Sequence, residues 1–131
     1  MATRRALREY AHAPMEHVTL SVPAASGFRG VVSLVIGGIG SRCGLSFEQV
    51  DDLQIAVEAA LNSHPMTAEE VELDASIDDH LRIRVGPFEG SGSSSSERML
   101  RVLVPDVRIV ALGGRTWIEL DVPLTGNGER T

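Results

Sequence analysis

The feature that most constrains this fold is a change in the spacing of apolar residues along the chain. Between residues 17 and 22 apolar and polar side chains alternate, which is typical of a strand with one buried face. From residue 28 to residue 61 the apolar side chains recur every three or four positions, which is typical of a helix with one buried stripe. Alternation returns over residues 70–85 and 107–124. The chain is therefore predicted to place two helices between strands.

Local signals set the limits of these two helices. The first is predicted over about residues 28–43, and Gly44 favours its end because glycine adopts left-handed backbone conformations easily. The Ser46–Gln49 segment fits a capping box, in which the first and fourth residues satisfy each other's backbone N–H groups. A second helix over about residues 47–62 should end before Pro65. The apolar stripe of the first helix, which we expect to be buried, consists of Phe28, Val31, Val32, Val35, Ile36 and Ile39.

Two hairpins follow the helices. Residues 71–75 and 81–85 alternate on either side of an Asp78–Asp79 turn, and Gly113–Gly114 fits the two-residue turn of a second hairpin. In the first hairpin one strand is acidic and the other carries arginines, which favours pairing between the strands. The expected pairs join Arg82 and Arg84 to Glu70, Glu72 and Asp74.

The resulting element order is β-α-α-β-β-α-β-β, with a short helix that opens at a second candidate capping box, Ser94–Glu97. Strands grouped with helices between them predict an α/β protein, more narrowly an α+β two-layer sandwich. We expect a mixed sheet covered by helices on one face and a polar second face. One domain should span residues 15–125, between a polar N-terminal arm at 1–14 and a polar tail at 126–131.

Composition narrows the classes of function. The 131 residues carry a net charge of −6 and no basic stripe, which argues against a nucleic-acid partner. No apolar run reaches the roughly 18 residues of a membrane span, and the N-terminal residues lack the apolar core of a secretory signal. The only cysteine, Cys43, cannot form an internal disulfide, and the four histidines lack the spacing of metal ligands. We therefore expect a cytoplasmic protein without membrane attachment.

One pair of polar residues near the end of the second helix suggests chemistry. Glu58 and Asn62 are four residues apart and therefore lie on one face of the helix, one turn from each other. A carboxylate can orient or deprotonate a nucleophile, and an amide oxygen can ligate Mg²⁺. The same spacing also fits a solvated helix face, so the flanking sequence has to distinguish the two interpretations.

The flanking sequence supports the functional interpretation. The run from Leu20–Ala24 through the glycine-rich first helix to Asp51–Asn62 resembles the first half of bacterial anti-sigma regulatory factors. These are serine-protein-kinase relatives of histidine-kinase ATPases, with the GHKL or Bergerat fold. The resemblance implies that Glu58 takes the catalytic-base position and Asn62 the magnesium-ligand position. It also implies Mg-ATP as the cofactor of intact members, and a sigma factor and an anti-sigma-factor antagonist as protein partners.

The second half of the chain departs from that pattern. ATP-binding members follow the third strand with an Asp-x-Gly-x-Gly box, whose Asp recognises the adenine amino group. Pro87 falls at about this position, and proline has no side-chain acceptor. Glu89, displaced by two residues, is the remaining candidate for a nucleotide contact. The Gly90–Ser96 segment stands where the family has its ATP lid, so we expect impaired ATP binding.

Three functions stay open at this point. The first is an anti-sigma factor-like protein that acts by binding other proteins and is not an active enzyme. Its partner-binding edge is expected on the first helix at Arg29, Ser33 and Arg42. The alternative is an active ATP-dependent serine/threonine kinase that phosphorylates its antagonist. The third is a homodimeric scaffold without a ligand. ATP affinity distinguishes the kinase from the other two.

Overall fold

The secondary structure follows the predicted element order. The computed structural model describes residues 16–63, 69–89, 94–104 and 106–124. The strands are β1 (Glu16–Pro23), β2 (Glu70–Ile77), β3 (His80–Phe88), β4 (Asp106–Leu112) and β5 (Arg115–Pro123). The helices are α1 (Arg29–Arg42), α2 (Phe47–Ser63) and α3 (Ser94–Leu103), and a 3₁₀ turn at Ser26–Phe28 precedes α1. The predicted arm at 1–14 and tail at 126–131 lie outside the described residues.

The five strands form one sheet in the order β1-β2-β3-β5-β4. All four neighbouring pairs are antiparallel, so the expectation of a mixed sheet is corrected, while the two-layer α+β sandwich is confirmed. Two helices separate β1 from β2, and the chain therefore returns antiparallel. The single helix α3 brings β4 back parallel to β3, but β5 folds into the space between them. The parallel strands are consequently not neighbours.

Burial divides the sheet into an apolar and a polar face. Alternate residues of β2, β3 and β5 are buried, and the residues between them are polar or only partly covered. The buried set belongs to one core with apolar residues of all three helices, so the helices lie on one face, as predicted. The largest fully buried side chains are Phe88, Ile36, Leu53, Leu61, Leu73, Leu81, Ile83, Leu100, Ile118, Leu120, Val32 and Val57.

The predicted helix and turn signals are present. Gly44 follows α1 with φ +80°, a left-handed conformation that favours glycine. The capping box before α2 is complete, because Ser46 N donates to Gln49 Oε1 at 2.9 Å and Gln49 N donates to Ser46 Oγ at 3.1 Å. Gly113 and Gly114 both have positive φ, as the tight turn of the β4–β5 hairpin requires. The capping box at Ser94–Glu97 stays a prediction, since the structure does not describe the side chains of these residues.

Helices α1 and α2 pack against each other in opposite directions. Near the middle of their seam, Gln54 Nε2 donates a hydrogen bond to the Ser33 carbonyl at 2.9 Å. The same amide group lies over Gly37, where a Cβ atom would come within 2.7 Å of it. At the other end, a Cβ atom on Gly40 would come within 3.0 Å of the Val50 side chain. Glycines therefore let the two helices approach closely along this seam.

The predicted stripe of α1 is only partly buried. Val32, Ile36 and Ile39 belong to the core, but Phe28 and Val31 are 44% and 39% exposed. The stripe is wider than the surface that the sheet and α2 cover, so its edge remains in solvent.

The ion pairs of the polar face differ from those expected. Arg84 Nη2 lies 2.6 Å from Glu119 Oε2, and Arg82 Nε lies 3.1 Å from Asp121 Oδ2, so both arginines turn towards β5. Arg82 also approaches Asp78. The acidic residues of β2 accept hydrogen bonds from β1 instead. His17 and Thr19 donate to Asp74, and Ser21 donates to Glu70. The predicted pairing with β2 was wrong. Strand β3 lies between β2 and β5, both of which carry acidic residues, and its two arginines pair with those of β5.

Substitution by alanine should have different effects at the two adjacent glycines of α1. Gly38 faces open space, so Gly38→Ala should raise the free energy of unfolding by about 0.5–1 kcal/mol through better helix propensity. Gly37→Ala should show little or no gain, because its Cβ displaces the Gln54 amide and removes a hydrogen bond of similar size, about 1 kcal/mol. Urea unfolding of both variants measures the difference. Equal stabilisation by the two substitutions would contradict the described Gln54 contact.

Candidate functional site

The predicted site residues meet at one edge of the sheet. Pro23 at the end of β1 pairs with Glu70 at the start of β2, and Gly86 near the end of β3 pairs with Glu72. Helix α1 begins shortly after β1 ends, and α2 ends shortly before β2 begins. The start of α1, the end of α2 and the end of β3 therefore lie at the same end of the strands. This end of the sheet is called the α1-start edge below.

Glu58 and Asn62 occupy the last turns of α2. Both side chains are exposed, and their spacing of four residues puts their Cβ atoms about 5–6 Å apart on one face of the helix. This is the arrangement that the sequence predicts. It can present a carboxylate and an amide side by side to a ligand at the α1-start edge.

Asn62 has a partner that the sequence does not reveal. Arg29, the first residue of α1, donates a hydrogen bond from Nη1 to Asn62 Oδ1. This amide oxygen is the atom that the resemblance assigns to Mg²⁺. The structure thus brings a residue of the predicted partner-binding edge into direct contact with a residue of the predicted nucleotide site.

The end of β3 is determined by packing. Val85 pairs with Ile118 and Phe88 pairs with Thr116, so β3 spans one more residue than β5 and contains a bulge. The bulge turns Phe88 into the core, where it is 0% exposed. Pro87 is buried beside it, after a cis peptide bond from Gly86. At this position the chain supplies apolar contacts and no side-chain acceptor for an adenine amino group.

Glu89 is the acidic residue nearest to this position. It is exposed at the bend that directly follows β3, and residues 90–93 beyond it lie outside the described residues. Across the described ranges, no group of three or more His, Cys, Asp or Glu side chains is arranged to hold a metal ion. Among the described residues, the polar groups predicted for the nucleotide site are Glu58, Asn62 and Glu89.

Trp117 covers the polar-face side of the β3 end. Its ring lies so close to Gly86 that a Cβ atom there would come within 3.0 Å of Trp117 Cε3 and 3.0 Å of the Thr116 carbonyl oxygen. Glycine is consequently the residue that this close approach requires. The contact indicates a packing role for Trp117.

The predicted partner-binding residues do not form one edge. Ser33 lies one turn beyond Arg29 on the α2 side of α1, where its carbonyl accepts the Gln54 hydrogen bond. Arg42 lies about 20 Å from Arg29 along the helix axis, at 1.5 Å per residue. There it forms an ion pair with Glu16, with Nε 2.8 Å from Oε1, and this pair lowers the pKa of the Glu16 carboxyl. Arg29 and Ser33 are thus brought together, and Arg42 is not.

An exposed apolar surface on α1 was not predicted. Phe28, Val31 and Leu34, called the outer patch below, lie on the solvent side of the helix, and Leu34 is 74% exposed. Gly30 and Gly38 flank Leu34 by one turn on either side, and a Cβ atom at either glycine would meet nothing within 4 Å. The signal was available in the sequence, since Leu34 falls outside the buried stripe.

The polar face of the sheet carries a shallow depression of about 160 Å³. It is lined by Asp74, Ser76, Arg82, Ile83, Arg84 and Glu119. Its arginines are engaged by the acids of β5, and it lies on the opposite side of the sheet from α1 and α2. It is therefore separate from the candidate site.

Comparison with curated proteins finds relatives that are named serine-protein kinase RsbW. The Bacillus subtilis protein is 28% identical over 74 residues, which cover 56% of this chain and 44% of the relative. The Listeria monocytogenes protein is 34% identical over 77 residues, which cover 53% of this chain and 49% of the relative. The chain thus spans about half the length, or less, of the curated relatives it matches. No protein-family model matches the chain.

A solved structure supports the fold. The crystal structure of the RsbU and RsbW domains of Rv1364c from Mycobacterium tuberculosis superposes with a TM-score of 0.65 at 20% sequence identity. The match covers 85% of this chain and 32% of the other. Within the described ranges, no helix is long and apolar enough to cross a membrane.

The contact between Gly86 and Trp117 predicts a measurable loss of stability. Gly86→Ala should lower the free energy of unfolding by about 1–3 kcal/mol, because the added methyl group overlaps both the indole ring and a backbone oxygen. Urea unfolding measures the change. In a Trp117→Ala background the same Gly86→Ala substitution should cost less, since only the backbone overlap then remains. A Gly86→Ala protein as stable as the parent would contradict the described contact.

Proposed function

We propose that this chain is a regulatory protein of the RsbW-type family, which comprises anti-sigma factors and serine-protein kinases with the GHKL fold. In this proposal it is cytoplasmic, binds other proteins and has impaired ATP binding. Its proposed partners are a sigma factor, which it holds, and an anti-sigma-factor antagonist, which releases that sigma factor. The observation that carries the proposal is the outer patch of α1, beside Arg29.

The outer patch supports protein binding because it is apolar and accessible. Three apolar side chains face solvent within the first two turns of α1 and just before it, and the helix contains no acidic residue. Burial of apolar surface is the main driving force of association. The bare backbone at Gly30 and Gly38 permits close approach of a partner helix. Arg29 adds a positive charge at the edge of this surface, suited to an acidic side chain of the partner.

The end of β3 supports impaired ATP binding. A buried proline stands where active members recognise adenine, and a site built around that hydrogen bond loses affinity when the acceptor is absent. Asn62 is engaged by Arg29, so the amide oxygen proposed for magnesium already accepts a hydrogen bond. These residues do not fit Mg-ATP.

An active kinase is the second candidate. Glu58 and Asn62 keep the spacing of the family motif, and the curated relatives are named serine-protein kinases. Phosphoryl transfer, however, depends on positioning of the phosphates and the metal, for which the chain retains few groups. A homodimeric scaffold without a ligand is distinguished from both by the absence of partner binding.

A charge in the outer patch should weaken partner binding. Leu34→Glu places a carboxylate in the proposed interface, so affinity for the sigma factor or antagonist should fall at least tenfold, equivalent to about 1.4 kcal/mol. Coexpression with the sigma factors and antagonists of the same genome, followed by biolayer interferometry, measures this change. Arg29→Glu should also weaken binding.

Two matched variants control for unspecific effects of charge. Val102→Glu introduces the same carboxylate at an 83% exposed position of α3, and Arg42→Glu reverses a charge at the far end of α1. Both should leave affinity within twofold of the parent. If Leu34→Glu binds every detected partner within twofold as well, the outer patch is not the docking surface.

Calorimetry should detect no tight nucleotide binding. Titration with Mg-ATP and with Mg-ADP is expected to show a Kd weaker than about 1 mM, or less than about 4 kcal/mol of binding free energy. Radiolabelled ATP should transfer no phosphate to a candidate antagonist. Asn62→Ala serves as the control for the assay. Phosphorylation that disappears in Asn62→Ala would overturn this proposal in favour of the active kinase.

A further inference from the structure

We infer that Arg29 replaces the divalent cation at Asn62, so that a guanidinium bridges α1 and α2 where active members of the fold hold a metal. The inference rests on a disagreement between the contacts of this chain and the magnesium that the fold family implies. It concerns the chemistry of one oxygen atom and does not depend on which protein the chain binds.

The contact joins a guanidinium nitrogen of α1 to an amide oxygen of α2. Arg29 Nη1 donates to Asn62 Oδ1, so the acceptor is the same oxygen that a metal would use. Arginine carries its charge at every physiological pH, and its planar fork keeps a fixed orientation towards an oxygen acceptor. The guanidinium therefore stands beside this atom as a permanent cation.

A divalent cation at Asn62 Oδ1 would meet both a steric and an electrostatic obstacle. Mg²⁺ requires near-octahedral geometry at about 2.0–2.1 Å and surrenders its water ligands reluctantly. A guanidinium within hydrogen-bonding distance of the same oxygen occupies part of that coordination sphere. It also repels a divalent ion by like charge. The guanidinium and a metal ion therefore compete for Asn62 Oδ1, so the hydrogen bond should weaken metal binding there.

The fold places Arg29 beside the end of α2. It is the first residue of α1, which the short connection after β1 places at the α1-start edge. The seam between α1 and α2 is fixed further along by the Gln54–Ser33 hydrogen bond and by close packing at Gly40. Arg29 therefore reaches Asn62 because the helices are already held side by side. Glu58, one turn away, leaves a carboxylate available once the guanidinium is removed.

A metal titration tests the inference without nucleotide or partner. Mn²⁺, a paramagnetic substitute for Mg²⁺, is added to the ¹⁵N-labelled full chain, and broadening of the Asn62 side-chain amide signals is followed by NMR. The variants are Arg29→Ala and Arg29→Met, the latter keeping the apolar stem. We expect half-broadening at a Mn²⁺ concentration at least fivefold lower in both variants than in the parent. Backbone spectra establish that each variant is folded.

Arg42→Ala is the matched control, because it removes the same charge from the opposite end of the same helix. It should leave the broadening of the Asn62 signals within twofold of the parent. The inference is overturned if the Arg29 variants broaden at the parental Mn²⁺ concentration, or if Arg42→Ala lowers that concentration as much as they do. If this titration contradicts the inference, the proposal that the outer patch binds a partner still stands, because partner affinity tests it separately.

Discussion

Alternate residues of the central strands are buried against helices, while the residues between them carry charges that pair along the polar face. Because one face of the sheet provides the core, all three helices must cover that face. Two of them lie between β1 and β2, so they run in opposite directions and return the chain to the neighbouring strand. The start of α1 and the end of α2 thereby reach the same edge of the sheet. The position of the candidate site follows from this one-sided burial.

Close packing of α1 against α2 brings particular side chains of the two helices into contact. Glycines at positions 37 and 40 reduce the distance between the helices, and the Gln54 amide ties the side chains of one to the backbone of the other. With the helices held at this distance, Arg29 meets Asn62 at one end of α1. At the other end, Arg42 meets Glu16 of β1. The sequence does not distinguish the two arginines, yet they form contacts at opposite ends of α1.

Features set by local chemistry could be predicted from the sequence. The spacing of apolar residues identified the strands and helices, and the Ser46–Gln49 capping box and the Gly113–Gly114 turn fixed their ends. The partners of Arg84 could not be predicted, because the position of β5 beside β3 is decided by the whole sheet. The Arg29–Asn62 contact likewise depends on the distance between two helices. The exposure of Phe28 depends on how much of α1 its neighbours cover.

The end of β3 is compatible with the proposed loss of adenine recognition, because its packing depends on other residues. Phe88 and Gly86 there are required by packing, one in the core and the other beneath Trp117. Under the proposed function, an acceptor for adenine would be required only by a ligand, and the buried, apolar Pro87 is compatible with the surrounding packing. Packing at this strand end therefore does not require a polar side chain at position 87. Because function resides in a few groups mounted on a common fold, similarity of fold does not determine which of those groups a member keeps.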